Sequence, residues 1–223
     1  MEERYQRMIP ALSPEELLRL RESRVLVAGC GGLGGYLIEY LVRLGVGHIT
    51  AADGDVFEAS NLNRQILSDT AHIGSLKALA AKERAAGVNP DSEVIPVCEF
   101  LTEENADRLL KGQDLALDAL DYFSARKILA SACAKAGIYM VHGGIQGWCA
   151  QVCVISPGSG VLDRISPADE EDPDRSSLSF VPAFCASVQA AEAVKILCGR
   201  KPELENKLLA ADLDVCEIQV FDL

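Results

Sequence analysis

The chain has 223 residues, 49% of them apolar, with a formal charge of −12 and a pI near 4.7. That is enough apolar material for one sizeable core and argues against a disordered chain. The acidic balance disfavours nucleic acid, which calls for a basic face, and no segment reaches the roughly 18 apolar residues expected of a membrane span.

The start, Met1-Glu2-Glu3-Arg4, is charged and lacks the apolar centre of a signal peptide, so a cytoplasmic location is expected. Residues 1–23 read as an N-terminal helical arm. Ser13-Pro14-Glu15-Glu16 supplies a cap, a first-turn proline and acids at the positive end of the helix dipole. Arg24 to Ala28 is a short apolar run before glycines, which fits a buried parallel strand. A helix follows over Leu33 to Leu44, then a strand from His48 to Ala52. Gly74 to Ala86 reads as a helix closed by Gly87 and Pro90, and Glu93 to Val97 as the third strand. Thr102-Glu103-Glu104 caps another helix. A fourth strand spans Asp114 to Ala119, and a helix runs from Tyr122 to Ala136. The fifth strand is Ile138 to His142. Strand and helix alternate, which predicts an α/β, Rossmann-like, mostly parallel sheet.

The pattern changes after Gly143-Gly144. Trp148 to Ile155 reads as a strand in a hairpin or meander. Residues 157–179 form a long loop containing Ala168-Asp169-Glu170-Glu171-Asp172-Pro173-Asp174. Phe180 to Leu197 is a helix closed by Gly199, and Lys207 to Ala211 and Val215 to Phe221 are a closing pair of antiparallel strands.

Five spaced elements carry chemistry. The loop Gly29-Cys30-Gly31-Gly32-Leu33-Gly34 stands between the first strand and its helix. Glycines there, at Gly29, Gly31, Gly32 and Gly34, let backbone approach phosphate at a helix N-terminus. Asp53-Gly54-Asp55 follows the second strand, where an acid binds ribose hydroxyls. This pair fits NAD and ATP equally. Arg64, in Asn61-Leu62-Asn63-Arg64-Gln65, and Lys77 add two cations, which suits a triphosphate better than a pyrophosphate. None of His48, His72 and His142 stands in an evident proton relay for hydride chemistry. Asp121 is expected to end the fourth strand, where a carboxylate can hold Mg²⁺ against phosphates. Asp118 lies three residues earlier, on the opposite face if the strand continues to Asp121, where it could equally serve as a partner for a helix terminus.

The chain resembles the ThiF/MoeB/HesA adenylyltransferases, relatives of ubiquitin-activating enzymes. The matching stretches are Arg4-Tyr5-Gln6-Arg7, the glycine loop, Asp53-Gly54-Asp55, Ser60 to Gln65, Ile73-Gly74-Ser75-Leu76-Lys77, Asp118 to Asp121 and Gln189 to Lys195. The resemblance implies activation of the C-terminal carboxylate of a small ubiquitin-like sulfur carrier ending in Gly-Gly, for thiamine, molybdopterin or related sulfur transfer. Carried over by position, Gly32, Asp53, Ser60, Asn61, Arg64, Lys77 and Asp121 bind ATP and Mg²⁺. Arg7 reaches into a neighbouring subunit's site, which implies a homodimer. By the same resemblance, residues 24–144 form the nucleotide-binding half and 145–223 the acceptor-binding half, within one structural domain.

Three departures bear on mechanism. The family often carries two C-x-x-C pairs holding zinc. None of the eight cysteines here forms such a pair, so no zinc site is expected. Many members carry a cysteine in the loop corresponding to 157–179. This one has none, and Cys185, the nearest, lies in an apolar helical stretch. Sulfur is therefore expected from a separate donor. Tyr122 follows Asp121 where relatives commonly have Asn. Alternatives are the same chemistry on another peptide or small acceptor, a non-catalytic nucleotide-binding scaffold, and an NAD-dependent oxidoreductase.

Overall fold

The computed structural model describes residues 3–165 and 176–223. The acidic run from Ala168 to Asp174 lies outside the described residues. Eight strands form one sheet in the order β3-β2-β1-β4-β5-β6-β7-β8. They are β1 (Arg24–Ala28), β2 (His48–Ala52), β3 (Glu93–Val97), β4 (Leu115–Asp118), β5 (Tyr139–Gln146), β6 (Cys149–Ile155), β7 (Lys207–Asp212) and β8 (Glu217–Asp222). The first five pair in parallel, and β5 to β8 pair antiparallel. This is the mostly parallel sheet with an antiparallel C-terminal extension that the sequence predicts.

Alternation along each strand sends side chains into two layers. Val25 and Val27 join one core with Leu37 and Leu41 of α2 (Gly32–Leu44), Ala81 of α3 (Lys77–Val88) and Ala186 of α6 (Phe180–Leu197). Leu26 and Ala28 join the other core with Leu109 of α4 (Glu103–Leu110) and Leu129 of α5 (Phe123–Ala136). β1 lies between β2 and β4, so the chain winds outward in opposite directions from this strand. In open α/β sheets the crevice beyond the strand ends at such a reversal is where ligands bind.

The arm holds a 3-10 helix over Glu3–Met8 and then α1 (Pro14–Glu22). α1 starts as predicted: the Ser13 hydroxyl accepts from Glu16 N–H at 3.2 Å, and Glu16 reaches back to Ser13 N–H at 2.8 Å. α6 is long and apolar enough to cross a membrane by length and composition alone, against the sequence expectation. Its faces pack on α2, β5 and β6, and its Gln189 and Glu192 are buried and hydrogen-bonded inside the protein, as befits a core helix.

Several boundaries differ from the sequence expectation. α3 starts at Lys77 rather than Gly74, because Leu76 bridges Val56 and Gly74 N–H donates to Phe57 O at 2.8 Å. It also runs through Gly87 to Val88. β4 stops at Asp118, so Asp121 sits in the following loop instead of at the strand end. β5 continues through Gly143 to Gln146, since a bare glycine admits the Gln189 side chain: a Cβ on Gly143 would lie 2.4 Å from Gln189 Oε1.

α2 seats directly on the end of β1. A Cβ at Gly34 would stand 1.8 Å from Gly29 O, a backbone atom that no rotamer change can move. Gly34→Ala is expected to lower unfolding free energy by about 1–3 kcal/mol, seen as a lower urea midpoint. An unchanged midpoint would contradict this packing.

Candidate active site

Three ties build the site at the β1–β4 crevice. Gly29 adopts φ +96°, a left-handed conformation that favours glycine, and a Cβ there would meet Ala119 O at 2.4 Å. The chain thereby turns sharply from β1 into α2. Gly31 is the α2 N-cap and has no side chain to occupy the first helical N–H groups. A bare helix start of this kind offers donors and partial positive charge to an anion.

The second tie is Asp53. Its Oδ2 accepts from Cys30 N–H at 2.7 Å and its Oδ1 from Asp55 N–H at 2.8 Å. It thus locks the glycine loop to the end of β2. Burial pushes its carboxyl above the usual range, opposed by those two N–H groups and by Lys77. The third tie is Lys77, at the first turn of α3. It is 6% exposed, and its Nζ lies 2.5 Å from Asp55 Oδ2. The hydrogen bond from Lys77 holds the Asp55 carboxyl below its ordinary range.

Arg64 lies over the start of α2. Its Cγ would be 3.6 Å from a Cβ on Gly32, while its Nη1 donates to Ser60 O and Asn63 Oδ1, each at 3.0 Å. Ser60 is exposed, with its hydroxyl 3.3 Å from Glu58 Oε2. Asn61 is buried, and its Oδ1 accepts Glu58 N–H at 3.0 Å, capping the 3-10 turn Ala59–Asn61. Ser60 and Asn61 shape the segment that presents Arg64.

Sequence reasoning alone assigns no role to Gln65, the last residue of the Asn61–Gln65 motif. It is 6% exposed, its Nε2 would lie 3.4 Å from a Cβ on Gly31, and its Oε1 is buried with no protein partner among the described residues. A buried orphan acceptor beside a bare helix start leaves room for a ligand hydroxyl or amine.

Asp121 is exposed in the β4–α5 loop, two residues beyond Ala119, whose carbonyl lies against Gly29. Among the described residues no group of three or more His, Cys, Asp or Glu could hold a metal. A single carboxylate still fits Mg²⁺, which commonly takes one or two carboxylates plus phosphate oxygens and water. Cys149 and Cys153 stand four residues apart on one strand, roughly 13 Å, too far to share a zinc ion.

Arg7 is not brought to this site in its own chain. It is exposed on the 3-10 helix, which is anchored where Tyr5 meets the α2 C-cap Gly45 and accepts from Asn89 Nδ2 at 2.9 Å. The glycine loop is at the other end of α2, about 20 Å away for a 13-residue helix. Cys185 is fully enclosed, with Sγ 3.4 Å from Gln151 O, and burial pushes its thiol up to about 12. It is a core residue, not an available nucleophile.

Comparison with known proteins identifies the family. The ThiF family profile matches residues 4–223. The SAMP-activating enzyme E1 of Haloferax volcanii is 35% identical over 218 residues, covering 94% of this chain and 81% of that protein. The sulfur carrier protein adenylyltransferase of Thermus thermophilus is 35% identical over 224 residues, covering 94% and 83%. In fold, a crystal structure of E. coli MccB with MccA-N7isoASN superposes with TM-score 0.86 at 21% identity, over 100% of this chain and 72% of that one. Profile, relatives and glycine-lined crevice converge, and the chain belongs to the ThiF family as an adenylyltransferase.

Proposed function

We propose that this enzyme uses ATP to adenylylate the C-terminal carboxylate of a small ubiquitin-like sulfur carrier ending in Gly-Gly, releasing pyrophosphate. The observation that carries the reading is the bare α2 start flanked by Arg64 and the buried Lys77. The Thermus relative, named for a sulfur carrier protein, supports the substrate class.

The chemistry follows from charge. The attacking carboxylate is already ionised at neutral pH, so no general base is needed. It approaches an α-phosphate of like charge. Two unit charges ~4 Å apart repel by about 4 kcal/mol at an effective dielectric of about 20. Arg64 and Lys77 offset this repulsion and stabilise the departing pyrophosphate. Lys77 rests on Asp55 in the free enzyme, and a polyphosphate competes for that ammonium. Gly31 and Gly32 admit the phosphates, Asp53 and Asp55 line the ribose side, and Asp121 is the metal ligand. Mg²⁺ bound there adds positive charge against the phosphate oxygens.

Arg7 acts in trans. Its placement at the far end of α2 from its own glycine loop supports a homodimer with composite sites. The adenylate is the end product on this chain, and sulfur comes from a separate donor. The buried Cys185 and the cysteine-free 157–179 segment favour this division. Eight unpaired cysteines suit a reducing cytoplasm.

The test of the function is ATP–pyrophosphate exchange with purified sulfur carriers. Exchange is expected only with carriers retaining the terminal Gly-Gly, and it should survive Cys185→Ala. A thiol-sensitive carrier adduct that disappears in Cys185→Ala would overturn the division of labour, and exchange indifferent to the carrier would overturn the substrate.

The in-trans role of Arg7 has its own test. Arg7→Ala and Lys77→Ala homodimers should each lose most exchange activity, on the order of 10³-fold for the arginine. Mixed heterodimers regain one intact site and should recover part of the rate. Verified heterodimers without recovery would remove the in-trans claim.

A further inference from the structure

Asp118 and His142 form a buried ionisable pair that the adenylylation scheme leaves unused. Asp118 is 0% and His142 1% exposed, so neither reaches a ligand. The parallel register of β4 and β5 sets them side by side, with His142 Nδ1 2.7 Å from Asp118 Oδ2. Gln151, on the neighbouring antiparallel strand, brings its Nε2 to 3.1 Å from His142 Nε2. An amide nitrogen only donates, so Nε2 of the imidazole accepts and Nδ1 carries the proton toward Asp118. Burial also favours the neutral imidazole. Arg126 Nε stands 3.7 Å from Asp118 Oδ2.

What this pair holds is the peptide just before Asp121. Asp118 Oδ1 accepts Leu120 N–H at 3.0 Å. Arg126 donates to Leu120 O through Nε at 3.0 Å and Nη2 at 2.6 Å. Both backbone groups of Leu120 are thus fixed by charged side chains. Gln189 secures the rear, donating to Asp118 O at 2.9 Å and Val141 O at 3.0 Å. Asp121 itself is exposed at the tip of this restrained turn.

We propose that Asp118, held by His142 and Arg126, is the positioning residue that aims Asp121 at the metal–triphosphate. The inference rests on the reading of Asp121 as the magnesium ligand. Outer groups that orient a metal ligand typically matter by roughly 10- to 100-fold in metal affinity. The clamp should therefore govern the effect of magnesium on ATP binding and leave metal-free ATP binding alone.

The experiment is calorimetry of ATP binding to the full-length protein across a Mg²⁺ series, with melting temperature as a fold check. Arg126→Lys keeps the charge and loses the two-pronged donor. His142→Leu removes the partner of Asp118, and His142→Asn returns a donor. Arg126→Lys and His142→Leu should need roughly 10- to 100-fold more Mg²⁺ to reach the wild-type ATP affinity. Metal-free affinity should be unchanged, and His142→Asn should restore most of the loss. If His142→Leu fails to fold, Arg126→Lys decides. Asp121→Ala separates the two claims. Should it abolish the magnesium effect while the clamp variants keep it, the positioning role is wrong and the metal ligand stands. Should Asp121→Ala retain the effect, the metal assignment and this inference fall together.

Discussion

The site depends on backbone meeting backbone where α2 lands on the end of β1. A side chain at Gly34 would overlap Gly29 O, and one at Gly29 would overlap Ala119 O. These contacts bring a helix start, uncapped by any side chain, into the crevice between β1 and β4. Everything charged is arranged around that start: Asp53 holds the loop through Cys30 N–H, Arg64 leans over Gly32, and Lys77 is fixed beside Asp55. Widening the contact by one methyl group would shift the first N–H groups of α2 relative to all three.

Electrostatics then sets the chemistry against the background of the chain. The whole molecule carries −12, yet the crevice gathers Arg64, Lys77 and a helix dipole. A strongly acidic protein can still bind polyphosphate, because buried and partly buried local charges are screened far less than distant surface charge. Asp55 balances Lys77, which avoids leaving an unpaired ammonium that is 6% exposed.

Much of this was legible in the sequence, for reasons that are local. Strand runs such as Arg24–Ala28, the Ser13 capping box and the glycine loop each declare themselves within a few residues. The misplaced boundaries came from non-local partners. Residues 74–76 are drawn into a bridge with Val56, which trims the start of α3 and delivers Lys77 to Asp55. Gly143 looked like the end of a strand but is a gap that Gln189 fills from α6. Asn61 sits in a nucleotide motif yet has its Oδ1 engaged in a cap. The Asp118–His142 pair depends on strand register, and no spacing rule connects residues 24 apart on adjacent parallel strands. Gln65 was within reach of sequence reasoning, since it directly follows Arg64 in the same motif.

The central claim is that the β1–β4 crevice is built for a nucleoside triphosphate. Calorimetry on the intact protein tests it most directly, with ATP, AMP and NADH compared in the presence of Mg²⁺. The account predicts saturable ATP binding, no competing NADH binding, and a Lys77→Ala variant that weakens ATP more than AMP. NADH bound at the crevice with ATP ignored would contradict it.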